Sequence, residues 1–119
     1  MRAVKLLRIY TGADGESHFE DVDVPLVDRG AMGRISAAWK ASSAIFRETD
    51  ADYLLDWHNA PRRQLVINLD GEVEIEVGSG EKRRLGPGSI LLAEDTTGRG
   101  HQSRSVDGKP RRSIFVPLD

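Results

Sequence analysis

Short apolar runs with a period near two recur along the chain, and Gly, Pro, Asp and Asn separate them. The pattern predicts strands over residues 4–10, 18–24, 44–49, 53–57, 64–69, 72–77, 82–85, 89–93, 101–106 and 113–116. No amphipathic helical period persists for three turns, so the fold class is all-β, and this many short strands suit a sandwich or barrel. The clearest strand is 72–77, where Glu72, Glu74 and Glu76 alternate with Val73, Ile75 and Val77. One face should be wet and the other core. Asp70-Gly71 predicts a hairpin between 64–69 and 72–77, since both positions of such a turn favour φ > 0. A second hairpin is expected at Gly78-Ser79-Gly80. Between residues 28 and 43, Met32, Ile35 and Trp39 fall as on one helical turn, but Gly30 and Gly33 weaken it, and the segment reads as irregular.

Composition narrows the function. The 119 residues form one expected domain spanning 1–119, and the absence of Cys removes disulfides and thiolate metal sites. Any metal site must draw on His, Gln, Asp or Glu. Lys and Arg total 17 against 19 Asp and Glu, a net charge of −2, so no basic field favours nucleic acid or anionic lipid. No apolar run approaches the roughly 20 residues of a membrane span, and charge breaks the amino-terminal stretch before a signal-peptide core forms. A soluble, cytoplasmic protein is expected.

The three His allow an exhaustive search for a metal or general-base site. His18 lies among Glu16, Glu20 and Asp21 and reads as solvated. His58 precedes the first turn, and Gln64 follows it at an even separation that would place both on one face of a regular strand, with Pro61 interrupting the ladder. His101 follows the polar loop 94–100. Either imidazole can exchange protons near neutrality, or serve as a hydrogen-bonded lining of the interior. Arg62 and Arg63, being adjacent, point to opposite faces, so at most one enters a cavity, where its fork would suit a carboxylate or phosphate. Their alternative role is pairing with Glu72, Glu74 and Glu76. Arg99 is a similar ligand-binding candidate. Trp57 is expected in the core, the loop 94–98 as a structured turn or a lid, and Lys82-Arg83-Arg84 and Arg111-Arg112 as solvated basic runs.

These residues resemble the cupins, whose first motif reads G-x5-H-x-H-x3,4-E-x6-G and whose second reads G-x5-P-x-G-x2-H-x3-N. His58 aligns with the first His, Ala60 with the second, Gln64 with the Glu and Gly71 with the closing Gly. In the second motif Gly88 matches the opening Gly, Glu94 stands at the Pro, His101 falls two residues late and Ser105 replaces the Asn. The resemblance covers about residues 44–116. It implies a double-stranded β-helix, or jelly-roll, cupin barrel with a site inside it that binds a small molecule. It also implies a divalent transition metal held by His58, Gln64 and His101, with Asp95 or Glu94 as further anionic ligands. With such a metal the chain would be an enzyme of the dioxygenase or the isomerase and epimerase type, with His58 and His101 as catalytic candidates. Gln64 supplies no charge, which argues against an ordinary Fe(II) oxygenase. Arg62, Gln64 and Arg99 are the candidates for contacting the ligand. A homodimer is the expected assembly, with strand 4–10 as a candidate free edge.

Overall fold

The computed structural model describes residues 2–119. The strands are β1 (Ala3–Thr11), β2 (Ser17–Pro25), β3 (Val27–Asp28), β4 (Arg34–Ile35), β5 (Ile45–Thr49), β6 (Leu54–His58), β7 (Gln64–Asn68), β8 (Val73–Glu76), β9 (Lys82–Leu85), β10 (Ile90–Glu94), β11 (His101–Ser105) and β12 (Arg111–Pro117). Every strand read from the alternation is present. The 28–43 segment contains the β3–β4 pair around a single 3-10 turn, Gly30–Met32, so the helical spacing there yields one turn and no more. No helix among the described residues is long and apolar enough to cross a membrane.

A six-stranded sheet in the order β2-β1-β10-β7-β12-β5 faces a four-stranded sheet in the order β6-β11-β8-β9, a jelly-roll arrangement. Their inward side chains make the core. Leu7, Ile9, Leu91 and Ala93 come from the larger sheet, and Val73, Ile75 and Leu85 from the smaller. Strict alternation in β8 does separate two faces, but the outer one is not simply wet. Glu74 is buried beneath Arg104 (2.6 Å to Nη2) and Arg84 (3.2 Å to Nε).

Two local expectations fail for reasons of topology. Asp70-Gly71 does not make a hairpin, because β7 and β8 lie in different sheets. Gly71 takes the positive φ of 72°, while Asp70 does not. The Asp70 carboxylate instead accepts the Arg112 backbone N–H (2.7 Å) and the Arg112 guanidinium (2.7 Å), which ties the crossing to β12. The turn at residues 78–80 does join β8 and β9 antiparallel, with Glu76 opposite Lys82. Strand β1 offers no free edge, since it pairs with β2 on one side and, in parallel, with β10 on the other (Leu7 opposite Leu91). The open edges are β2, β5, β6 and β9.

The outer face of the six-stranded sheet is also apolar. Leu6, Leu65, Ile67 and Ile90 look outward onto a segment carrying Ile35 and Trp39, with a groove of about 470 Å³ between them. Both faces of β1, β7 and β10 are therefore partly covered, which is why their sequences read as nearly continuous apolar runs.

Candidate functional site

Between the sheets lies a cavity of about 250 Å³. Alternation along three adjacent strands sets its polar wall, with Gln64 and Asn68 turned inward from β7, Arg111 from β12 and Arg47 from β5. The facing wall, from β6, β8 and β11, supplies His58, Leu55, Val73, Ile75 and Ser103. His58 and Leu55 share this wall although an odd number of positions separates them. A register shift between the His101–His58 and Ser103–Leu55 pairs makes that possible by adding a residue to β6. Ser103 Oγ is hydrogen-bonded to Tyr53 Oη (2.8 Å), which fixes that ring at the cavity wall.

His58 lines the cavity, and His101 packs edge-on against it with ring centroids 4.4 Å apart. Behind them Asp95, fully buried, accepts hydrogen bonds through one carboxylate oxygen from His101 Nδ1 (2.6 Å) and Ser17 Oγ (2.8 Å). His58 Nδ1 donates to the Asp56 carbonyl (2.7 Å). Each ring is thereby oriented through Nδ1, leaving Nε2 for other partners. Burial holds the His58 pKa below its ordinary 6.5; the bond to Asp56 opposes this, while His101 and Arg47 reinforce it. At neutral pH the ring is uncharged.

A consequence follows for stability. Folded His58 holds its proton less tightly than the unfolded chain, so the unfolded form binds more protons below its pKa, and the stability present above that pH is lost as pH falls toward the folded value. Denaturation midpoints should fall between pH of about 7.5 and 5.5, and His58→Gln should flatten this part of the profile. Equal slopes for the two proteins would refute the shift.

No family model matches the chain. Over 51 residues it is 45% identical to the cupin-domain-containing oxidoreductase srdB of Neurospora crassa. The match takes in 42% of this chain and spans 24% of the length of that relative. That stretch of the chain is similar to part of a cupin-domain protein. A crystal structure titled ethanolamine utilization protein Q of Salmonella typhimurium aligns with a TM-score of 0.44 and 13% identity, covering 99% of this chain and 98% of that one.

The donor set departs from the cupin metal-binding pattern that the sequence resembles. His58 and Gln64 reach the cavity from opposite sheets, not from one strand face as their even spacing suggested, and His101 stands behind His58. The set amounts to two imidazoles and a neutral amide, and the position of the second His is Ala60. No carboxylate lines the cavity, whereas the cations Arg47 and Arg111 do. Among the described residues no group of three His, Asp or Glu is disposed around one point as metal ligands. A divalent cation is poorly matched to such surroundings, for want of anionic ligands and because of the adjacent positive charge.

Other residues singled out from the sequence lie elsewhere. Arg62 is exposed and does not line the cavity. Arg99 pairs with Glu16 (2.9 Å) and lies 5.8 Å over the Trp57 ring, so Trp57 is a surface platform and not core. Arg63 and Arg8 (2.5 Å) both bond Glu94, rather than Arg63 reaching the β8 glutamates. Burial would raise the Glu94 pKa, but these two guanidiniums outweigh it and hold it below the ordinary value. Glu94 is thus a clamp outside the cavity, and Asp95 a positioning group behind His101. The loop between them and His101 is a structured turn: Thr97 O accepts from Thr11 Oγ1 (2.9 Å) and Asn59 Nδ2 (2.8 Å), and Gly15 O accepts from the Arg99 backbone (3.0 Å).

The residues that sequence reading missed are Arg47 and Arg111. Arg111-Arg112 looked like a solvated run, yet Arg111 is 7% exposed and only Arg112 pairs at the surface. The parity of Arg111 with Ser113 and Phe115 was available in the sequence; which parity faces inward was not.

Proposed function

We propose that this chain is a cupin that binds a small organic molecule inside its barrel, without a metal, and holds it between the polar wall of β5, β7 and β12 and the apolar wall of β8. The observation that carries the reading is the convergence of His58, Gln64, Asn68 and Arg111 on one cavity also lined by Val73, Ile75 and Leu91. A few placed polar groups in an apolar concavity are the usual make-up of a ligand site. Neutral His58 supplies a hydrogen-bond acceptor or a general base at one end.

Redox chemistry of the kind named for the Neurospora relative is a second reading, favoured by the local identity. Near-stoichiometric metal in protein purified without chelator, lost in His58→Ala, would support it. The test of the first reading is amide chemical-shift mapping by NMR with a panel of small acids, amides, alcohols and sugars. Saturable shifts concentrated on β5, β7, β12 and around His58 are expected. Shifts confined to the outer groove beside Trp39, or none with any probe, would reject it.

A further inference from the structure

The two cavity arginines have no anionic partner. Neither Arg47 nor Arg111 forms a salt bridge with an Asp or Glu among the described residues, although most other arginines of the barrel do. Arg111 is 7% exposed, and its desolvation is the largest influence on its pKa, which it lowers; Tyr53 opposes this and Arg47 adds to it. Burying a guanidinium without a counter-charge is unfavourable, and two like charges on one face of paired strands add repulsion.

The register places the two side by side. On β5 and β12, Arg47 is opposite Ser113 and Arg111 is opposite Thr49, so the arginines are diagonal neighbours on the inner face. Both lie over the same aromatic ring, with Arg47 Cζ 5.1 Å and Arg111 Cζ 5.5 Å from the Tyr53 centroid. That ring offsets part of the unfavourable energy but supplies no counter-charge, and its hydroxyl is hydrogen-bonded to Ser103. Around them Thr49 Oγ1, Ser113 Oγ and Asn68 Oδ1 are buried and make no hydrogen bond to protein. Ser113 is also opposite Asn68, so a row of unpartnered polar groups runs across β5, β12 and β7.

We infer that Arg47 and Arg111 form an oxyanion cradle, and that the ligand of the barrel is a small organic carboxylate whose acid group lies on these two guanidiniums and whose apolar body rests on Val73, Ile75 and Leu91. This rests on the barrel-interior reading above and names its ligand class. Guanidinium forks match the two oxygens of a carboxylate. A cavity of about 250 Å³ limits the acid to a small one. Its apolar wall favours a carboxylate on a hydrocarbon or ring over a free inorganic oxyanion.

The experiment is a calorimetric titration of the full chain with benzoate, hexanoate and succinate, with the primary amide of each, and with inorganic phosphate. Acids are expected to bind at least tenfold more tightly than their amides, and phosphate more weakly than the acids. Arg111→Met should weaken acid binding at least tenfold while leaving the thermal midpoint unchanged or higher, because it removes an uncompensated buried charge. Arg47→Gln, at a less buried position, tests the same cradle if Arg111→Met does not fold. Acids and amides binding equally inside the barrel would overturn the cradle while leaving the barrel-interior reading in place, and phosphate binding as tightly as the acids would overturn the carboxylate assignment. No probe binding at all would count against both. Unchanged acid affinity in Arg111→Met, with a lower midpoint, would make Arg111 a structural residue.

Discussion

Asp95→Ala is expected to destabilise the protein by about 3 to 5 kcal/mol, a large part of the total for a domain of this size. Asp95 is fully buried and its Oδ2 accepts both from Ser17 and from His101. Truncation leaves two buried donors, on β2 and β11, without their acceptor and opens a void between them. The backbone bond from Ala60 N–H to Asp95 O remains, so the loop should stay attached while its side-chain anchor is gone. Asp95→Asn keeps the volume and one acceptor and should lose less. Urea denaturation followed by Trp fluorescence measures both, and an Asp95→Ala midpoint within error of wild type would show that this carboxylate does not hold the two strands together.

Gly100→Ala should be nearly as damaging, by about 3 kcal/mol or more, through a different mechanism. Gly100 has φ of 78°, and a Cβ there would lie 2.0 Å from the His58 carbonyl oxygen and 2.5 Å from its carbon. Those are backbone atoms of β6 at its pairing with β11, so relief requires the His58–His101 pair to move apart. The variant should therefore lose stability and ligand-induced NMR shifts together. Gly15→Ala is the control, since φ is 76° but nothing lies within 4 Å of the added carbon. It should lose only about 1 kcal/mol from backbone conformation. Equal losses at the two positions would mean that the contact with His58 is not the cause.

Strand positions and the pairing of inward and outward residues were legible in the sequence because alternation is a local property, visible in β8 without knowledge of its neighbours. What alternation does not contain is the partner. Asp70-Gly71 has the residues of a tight hairpin, yet the chain there leaves one sheet for the other, a choice made by the bond network between Asp70 and Arg112 across the fold. The same limit governs the site. His58, Gln64 and His101 could be singled out by residue type and by resemblance, and the structure brings His58 and Gln64 to the cavity from opposite sheets, with His101 behind His58. Arg47 and Arg111 could not, because an arginine in a basic run normally reads as solvated, and only the register of β5 on β12 turns both inward. Arg62 and Arg99 are near His58 and His101 in sequence, but both lie in turns between strands, and nearness along a turn does not carry a side chain into the cavity.

The parallel pairing of β1 with β10 bears on how the chain is made. Leu7 finds its parallel partner only at Leu91, so β1 has β2 as its neighbour until β10 has been synthesised. During that interval the β1–β2 ribbon presents an unpaired edge and an apolar face, and a lone two-stranded ribbon is only marginally stable in water. Closure of the large sheet therefore waits for β10, and it is slow because its contacts join residues far apart in sequence. Protection of nascent β1 from other chains becomes a requirement of synthesis, and Lys5 and Arg8 on that strand with Glu20, Asp21 and Asp23 on β2 supply charges that disfavour stacking of one ribbon on another.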